Sequence, residues 1–137
     1  MANTKATGDV TETRLLHELV AAGYSVSVPF GDNDPYDLVV DTGGEFVRVQ
    51  CKTGWLEDGR IRFKTASKTT KNGEVTTTDY DGEIDAFMVR CRDTDAVYWV
   101  PVEDAGRKNT YLRIDDAEID HPSINWASAF EFSGVIV

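Results

Sequence analysis

The sequence contains little that would indicate a membrane, secreted or zinc-binding protein. Its 137 residues include only two cysteines and two histidines. With so few, a framework of several disulfides and a zinc site of the usual ligand spacing are both excluded. No apolar run approaches the roughly 18 residues that a membrane-spanning helix needs, and the N-terminus lacks the apolar segment of a signal peptide. We therefore expect a cytoplasmic protein without membrane contact, folded as a single domain over residues 1–137.

Lysine is scarce, and basic residues as a whole are outnumbered. Six lysines and eight arginines stand against fifteen aspartates and nine glutamates, which gives a net charge of −10 at pH 7. Taken alone, this charge argues against a nucleic-acid partner, because phosphate contacts need positive side chains. The acid-rich, lysine-poor composition resembles that of salt-adapted proteins, whose surface carboxylates hold water in concentrated salt. An acidic mimic of DNA is the alternative interpretation.

The positive charge is concentrated in one part of the chain. Residues 48–71 contain seven basic and two acidic residues, so this segment carries +5 while the rest of the chain carries −15. Local patches steer charged ligands more than total charge does. The segment therefore predicts a DNA-contacting surface and disfavours the mimic, although a solvated polar loop is the alternative for its second half. The candidates for DNA contact are Arg48, Arg60, Arg62, Lys64, Lys68 and Lys71.

Hydrophobic periodicity predicts a helix followed by a three-strand meander and further strands. The capping-box spacing of Asp9 and Glu12, the helical spacing of the leucines and a stop at Gly23 predict a helix over residues 9–22. Strands are predicted over 24–28, 36–41, 45–52, 60–64, 86–91, 97–101 and 111–114, and a closing helix over 123–132. Residues 1–7 are expected to be a loose terminus, and about 65–78 a mobile basic loop. The predicted fold class is α/β, with a mixed central sheet flanked by helices.

The hairpin formed by the second and third strands of the meander brings polar side chains together. With the tip of the turn at residues 43–44, Asp37 lies across from Gln50. Lys52 follows Gln50 on the same strand face, whereas Cys51 points to the other face. Because directly opposed Cβ atoms are about 4.5–5.5 Å apart, we expect Asp37, Gln50 and Lys52 to share one small patch.

Glu12 is the candidate fourth member of this patch. Its spacing from the leucines of the helix places it on the core-facing stripe, where a carboxylate needs a partner because burying a lone charge is costly. A divalent cation shared with Asp37 is one such partner, since Mg²⁺ prefers oxygen ligands. Lys52 would then orient an attacking water and offset developing negative charge. The alternatives are a capping-box role for Glu12, a turn-ending role for Asp37 and a solvated edge charge at Lys52.

These segments resemble the motifs of the PD-(D/E)XK nuclease superfamily, especially those of intron-encoded homing endonucleases and, more distantly, archaeal Holliday-junction resolvases. The matching segments are Gly8-Asp9-x-x-Glu12, Pro35-Tyr36-Asp37-Leu38-Val39-Val40, Val49-Gln50-Cys51-Lys52-Thr53-Gly54, and residues 80–85 and 97–102. The resemblance covers residues 8–126. It implies a restriction-endonuclease-like core and a DNA endonuclease that uses Mg²⁺ or Mn²⁺. One active site per chain implies a homodimer or higher homo-oligomer if both strands are cut.

The resemblance also implies roles for individual residues. Asp37 is a metal ligand, Glu12 an auxiliary acid and Lys52 the catalytic lysine, while the backbone carbonyl of Cys51 is a further candidate ligand. Gln50 occupies the position where most relatives have Asp or Glu, so the site carries one negative charge less and is expected to bind metal more weakly. Two alternatives stay open: an endonuclease that resolves Holliday junctions, and a DNA-binding module of the same fold that does not cleave.

Overall fold

The computed structural model describes residues 4–31, 33–71, 73–79, 82–115 and 124–136. Its elements, in chain order, are α1 (Thr4–Ala21), β1 (Ser25–Ser27), β2 (Leu38–Asp41), β3 (Phe46–Glu57), β4 (Arg60–Lys64), β5 (Ala66–Lys71), β6 (Glu74–Asp79), β7 (Ala86–Cys91), β8 (Val97–Pro101), the 3₁₀ helix η1 (Val102–Asp104), β9 (Asn109–Arg113) and the 3₁₀ helix η2 (Ala127–Ala129). In the described part of the chain, no helix has the length and apolarity needed to span a membrane.

Helix α1 begins five residues earlier than its sequence pattern predicts. Residues 4–7, expected to be loose, belong to the helix. Asp9 is therefore an interior helical residue whose carbonyl accepts a hydrogen bond from the Thr13 hydroxyl at 3.0 Å. The capping-box interpretation of Glu12 is accordingly wrong, because the helix does not begin at Asp9.

The C-terminal end of α1 was predicted correctly. The Gly23 N–H donates to the Val20 carbonyl at 3.0 Å and the Tyr24 N–H donates to the Leu19 carbonyl at 3.1 Å, which is the pairing of a Schellman motif. Gly23 has a φ of +98°, a backbone conformation that is sterically unfavourable for residues with a Cβ atom. The helix therefore stops at a fixed point, and β1 follows at once.

The main sheet is mixed, and its longest strand, β3, connects all of its parts. The order β1-β2-β3-β4-β9 is antiparallel, while β7 pairs with β3 in parallel and with β8 in antiparallel fashion. The register of the β2–β3 hairpin, which pairs Leu38 with Val49 and Val40 with Val47, is the one predicted from its turn. Continuing this register places Asp37 opposite Gln50.

Strand β3 changes partners along its length, and this change opens a gap at its middle. Residues 46–49 pair with β2 and residues 55–57 with β4, while residues 49–54 pair with β7. Among the described strands, residues 50–54 thus pair with β7 alone. Gln50 and Lys52 lie in this gap, between the stretch of β3 that pairs with β2 and the stretch that pairs with β4.

The two faces of the sheet are buried in different clusters. Helix α1 covers one face, where Leu15 and Leu19 pack against the strands beneath them. The opposite face is buried against the loops and short helices of the C-terminal half. The larger residues of the first cluster are Leu15, Leu19, Leu38, Val40, Val49, Met88 and Trp99, and those of the second are Ile61, Phe63, Phe87, Val89, Tyr98, Val100 and Leu112.

Two further predictions of local structure are wrong. The segment 65–78 was expected to be a loop, but it contains the hairpin of β5 and β6, in which Lys68 pairs with Thr77. The closing helix expected over 123–132 is reduced, in its described part, to the single turn of η2. The chain there runs beside β8, with Phe132 N–H donating to the Val97 carbonyl at 3.0 Å.

Candidate active site

Asp37 is fixed at the start of β2 by two hydrogen bonds to β3. Its N–H donates to the Val49 carbonyl at 2.8 Å, and its carboxylate Oδ2 accepts from the Cys51 N–H at 2.9 Å. The carboxylate oxygen thus accepts the hydrogen bond from the Cys51 N–H that a backbone carbonyl of a longer β2 would otherwise accept. The backbone of β3 therefore holds the half-buried carboxyl of Asp37 at the gap in the sheet.

Burial raises the pKa of Asp37, although the Cys51 N–H and the charge of Lys52 both oppose this shift. Gln50 and Lys52 are two residues apart on β3 and therefore project from the same strand face. The structure thus brings Asp37, Gln50 and Lys52 to one place, as the hairpin register predicts.

Glu12 reaches the same place from α1. The pKa of Glu12 is raised by its burial first, then by the negative charge of Asp37 and by that of Asp9. The helix thus places Glu12 within electrostatic range of Asp37. Both carboxyl groups are harder to ionise than an isolated one, Asp37 because of its burial and Glu12 because of burial and nearby like charge.

A polar network attaches α1 to the sheet beside Glu12. The hydroxyl of Thr11, which is 2% exposed, lies 2.7 Å from the hydroxyl of Thr53 on β3. Arg90 Nη1 donates to Thr11 Oγ1 at 3.3 Å, and Arg90 Nε donates to Asp95 Oδ1 at 2.7 Å. Asp95 also pairs with Arg14 on α1. These contacts set the height of the helix over β3, and thereby the distance from Glu12 to the hairpin.

Cys51 lies nearer to the carboxylates than expected. Its side chain points to the α1 side, away from Gln50 and Lys52, as the strand alternation predicts. Its thiol pKa is nevertheless raised well above the ordinary value, by burial first and then by the charges of Asp37 and Glu12. The thiol therefore stays protonated at neutral pH and is a poor nucleophile or metal ligand. A role for its backbone carbonyl stays a prediction.

The donor set fits a hard divalent cation. Asp37 and Glu12 supply two carboxyl groups, the charge of Asp37 raises the pKa of Glu12, and the Gln50 amide would supply a third oxygen. No group of three or more His, Cys, Asp or Glu side chains suited to a metal occurs among the described residues. A metal ion at this site would therefore be held by the two carboxyl groups, the Gln50 amide and retained waters.

Glu12→Gln is expected to stabilise the metal-free protein at neutral pH. The folded-state pKa of Glu12 lies above its ordinary value of 4.5, so the folded protein binds more protons than the unfolded one and loses stability as the pH rises through that interval. Glutamine lacks this loss. In a chelating buffer the variant should melt up to about 4 °C higher at pH 7, and the difference should shrink towards pH 4.

Magnesium should reverse that order. Mg²⁺ that binds the folded protein raises the melting temperature by mass action, and wild-type protein should gain more than Glu12→Gln. Thermal unfolding with and without Mg²⁺ measures both effects. Equal gains for the two proteins would exclude Glu12 from cation binding.

Arg48, predicted to contact DNA, is engaged with an acid of its own chain. Its guanidinium donates to Asp85 at 3.2 and 3.3 Å and to the Gly82 carbonyl at 3.2 Å. This pairing lowers the pKa of Asp85 and offsets the charge of Arg48. A contact between Arg48 and DNA stays a prediction, and it would compete with this exposed ion pair.

The remaining basic residues of the segment lie along one strand face, as predicted. Arg60, Arg62 and Lys64 alternate with the buried residues of β4. The Arg60 guanidinium lies 4.2 Å from the centre of the Tyr111 ring. Arg62 donates to Asn109 at 3.2 Å and approaches Glu57 at 3.3 Å. The side chains of Lys68 and Lys71 lie outside the described residues.

Two further arginines of this surface were missed because they lie far from the basic segment in sequence. Arg113 pairs with Arg60 across β4 and β9, and the Nε atoms of both are buried without a hydrogen-bond partner among the described residues. Arg92, directly after β7, lies 5.8 Å from the Trp55 ring centre. Trp55 is half-buried on β3, and Arg62 lies 5.4 Å from the centre of the same ring.

Comparisons with known proteins give a consistent result. A family model described as PD-(D/E)XK endonuclease matches residues 2–133. Among solved structures, the chain is similar to the bacterial homing endonuclease I-Ssp6803I, with a TM-score of 0.77, 23% identity, and coverage of 95% of this chain and 89% of that chain.

A weaker similarity links the chain to Hjc, a Holliday junction resolvase from the archaeal hyperthermophile Archaeoglobus fulgidus. The TM-score is 0.49 at 16% identity, over 78% of this chain and 84% of that chain. A search of curated proteins gives no significant match. The similarity to I-Ssp6803I shows a shared fold over nearly the whole chain.

Proposed function

The chain belongs to the PD-(D/E)XK endonuclease family, and on that premise we propose that it is a metal-dependent DNA endonuclease that hydrolyses phosphodiester bonds. Membership in the family confirms the resemblance seen in the sequence, and the mixed sheet with its covering helix confirms the α/β fold class. Metal dependence, the residues of the site and the form of DNA that is cut belong to the proposal. Its principal support is the position of the Asp37 carboxylate at the gap in the sheet, beside Lys52 and near Glu12.

Each proposed role follows from the environment of its side chain. The Asp37 carboxylate, the Gln50 amide oxygen and Glu12 would hold Mg²⁺ or Mn²⁺, which supplies Lewis-acid polarisation of a phosphate and a water of lowered pKa when bound. The Lys52 ammonium, near Asp37 and on the same strand face as Gln50, neutralises negative charge that develops on the phosphate and orients the attacking water.

The surface proposed to contact DNA extends from this site over β4. Arg60, Arg62 and Lys64 form its described part, and Lys68 and Lys71 continue it in sequence along β5. Such contacts fix the position of the backbone without reading the base sequence. Because contacts of this type release counterions, affinity should fall steeply as salt is raised.

Gln50→Glu is expected to increase the affinity of the site for Mg²⁺. A third carboxylate adds a negative charge and a stronger ligand for a hard cation, so half-maximal cleavage should need about tenfold less Mg²⁺. Cleavage rates measured over a range of Mg²⁺ concentrations test this. The isosteric neutral change Gln50→Met removes the oxygen and should raise the requirement instead. Identical metal dependence in all three proteins would remove Gln50 from the site.

A DNA-binding module without cleavage activity is the second candidate, and Gln50 is the observation that favours it. Because Gln50 is neutral, the site carries one negative charge less than a site with an acidic residue on both β2 and β3. The two candidates differ in one result, because tight DNA binding without cutting in either Mg²⁺ or Mn²⁺ would support the module.

A single panel of substrates tests the proposal. Wild-type protein is incubated with duplex, single-stranded and four-way-junction DNA in Mg²⁺, in Mn²⁺ and in chelator, at several salt concentrations. The endonuclease predicts internal cuts that require metal, and preferential cutting of the junction would identify a resolving activity. Light scattering of the same sample measures the proposed homodimer or higher assembly.

A further inference from the structure

A groove of about 370 Å³ opens beside the proposed active site. It is lined by Lys52 and Trp55 from β3, Lys64 from β4, Arg92 and the stretch of α1 near Gly8. Lys52 projects from the same face of β3 as Gln50, which the hairpin register places opposite Asp37. One end of the groove is therefore the catalytic patch itself, and whatever occupies the groove is the immediate neighbour of the bond proposed to be cut.

The groove is strongly cationic in a protein that is strongly acidic. Lys52, Lys64 and Arg92 line it, and no acidic residue is found among its described walls. Lys64 and Arg92 are both exposed, so their charges are available to a ligand that enters from solvent. Three positive side chains around a space of this size select for a phosphate-bearing ligand.

The other wall of the groove presents the indole ring of Trp55 and the guanidinium group of Arg92. Trp55 is half-buried and keeps part of its indole surface in the groove. The Arg92 backbone N–H is fixed to the Gly54 carbonyl at 3.0 Å, while its guanidinium carbon stands 5.8 Å from the indole centre. Stacked planes in nucleic acid are about 3.4 Å apart, so a ring held between two such planes needs about 7 Å. A shift of the exposed Arg92 side chain by about 1 Å opens that space.

Arg62 lies over the same indole ring but outside the groove. It lies over the same indole at 5.4 Å, but it is held by Asn109 and Glu57 and is not part of the groove lining. The Trp55 ring is thus supported by a fixed cation and also faces a movable one. This arrangement suits stacking and cation–π contact with an inserted base.

We propose that this groove binds one nucleotide of the cut strand that is unstacked from its neighbour, with its phosphate between Lys52 and Lys64 and its base between Trp55 and Arg92. The inference rests on the proposed function, and it adds a class of substrate: DNA that carries an unpaired nucleotide next to the cleaved bond. A base inside a continuous duplex does not fit, because its faces are covered by its neighbours.

The test measures binding separately from cleavage. Asp37→Asn protein in chelator is titrated with a duplex and with the same duplex carrying one unpaired thymine, and tryptophan fluorescence is recorded. The proposal predicts about tenfold tighter binding of the unpaired form, since stacking on an aromatic side chain contributes strongly to single-strand affinity. It also predicts quenching of fluorescence, and Trp55→Ala should abolish both effects while Trp55→Phe should retain the tighter binding.

Charge variants complete the test. Lys64→Gln and Arg92→Gln should each make the slope of log affinity against log salt concentration shallower by about 0.7–0.9. Arg107→Gln removes an exposed positive charge outside the groove and should leave this slope unchanged. Equal affinity for both DNA forms, or equal effects of Arg92→Gln and Arg107→Gln, would overturn the groove assignment while wild-type cleavage still stood. Preference for the unpaired form without any cleavage by wild-type protein would support the groove and refute the endonuclease.

Discussion

Asp37→Asn is expected to lower the rate of DNA cleavage at least about 10³-fold, which corresponds to about 4 kcal/mol of transition-state stabilisation. The change removes the charge that would hold a divalent cation. It keeps a side-chain oxygen for the Cys51 N–H, which in the wild-type protein donates to the Asp37 carboxylate at 2.9 Å. The fold should therefore be retained. Removal of a half-buried carboxylate of raised pKa should also leave the metal-free protein at least as stable at neutral pH.

Asp37→Ala provides the matched comparison. Alanine removes the acceptor as well as the charge, so the Cys51 N–H loses its partner at a cost of about 1–3 kcal/mol. We expect the two variants to be equally inactive, but only Asp37→Ala to be clearly less stable in thermal unfolding. Cleavage by Asp37→Asn at close to the wild-type rate would remove Asp37 from the site.

Lys52→Met is expected to reduce the single-turnover cleavage rate about 10²–10³-fold, as expected when one charge-stabilising group is lost. Methionine keeps most of the length and the apolar stem of lysine and removes only the ammonium group. The pKa of Asp37 should rise further in this variant, because the charge of Lys52 opposes its upward shift. Cleavage measured against pH would show this as a displaced acidic limb.

Lys108→Met is the control for total charge, since Lys108 is an exposed lysine outside the groove. It should cut DNA at the wild-type rate. If both lysine variants lose the same modest amount of activity, Lys52 acts only through long-range attraction of DNA, and its proposed role at the phosphate is wrong.

The hairpin that carries most of the candidate site was the most predictable part of the fold. A period of two residues and a glycine turn fix which side chains share a face, and the observed pairing of Leu38 with Val49 follows from them. The strands Ala86–Cys91 and Val97–Pro101 also match their predicted bounds, because short runs rich in β-branched and aromatic residues between turn residues favour strands.

The length of β3 was not predictable, because Gly54 reads as a strand breaker. In the structure a Cβ at this position would lie 3.0 Å from Ile61 and 3.2 Å from Val89. Glycine is therefore present where two side chains crowd against the backbone of a continuous strand. Only tertiary contacts reveal this, and the same is true of α1, whose start at Thr4 lies upstream of its apolar pattern.

The charged residues show the same limit more clearly. Segment charge identified β4 as basic, but it also assigned Arg48 to DNA although Asp85, 37 residues away in sequence, pairs with it. It missed Arg92 and Arg113, which the fold brings to the basic surface from later strands. A cationic groove in a chain of net charge −10 is a product of folding that counting along the sequence only partly captures.

The most direct measurement compares wild-type protein with the double variant Asp37→Asn, Lys52→Met on one DNA panel, in Mg²⁺ and in chelator. If these residues form the active site of a metal-dependent endonuclease, only wild-type protein with Mg²⁺ or Mn²⁺ produces internal cuts, while both proteins bind the DNA. Cutting by the double variant at the wild-type rate, or by wild-type protein in chelator, would contradict the account.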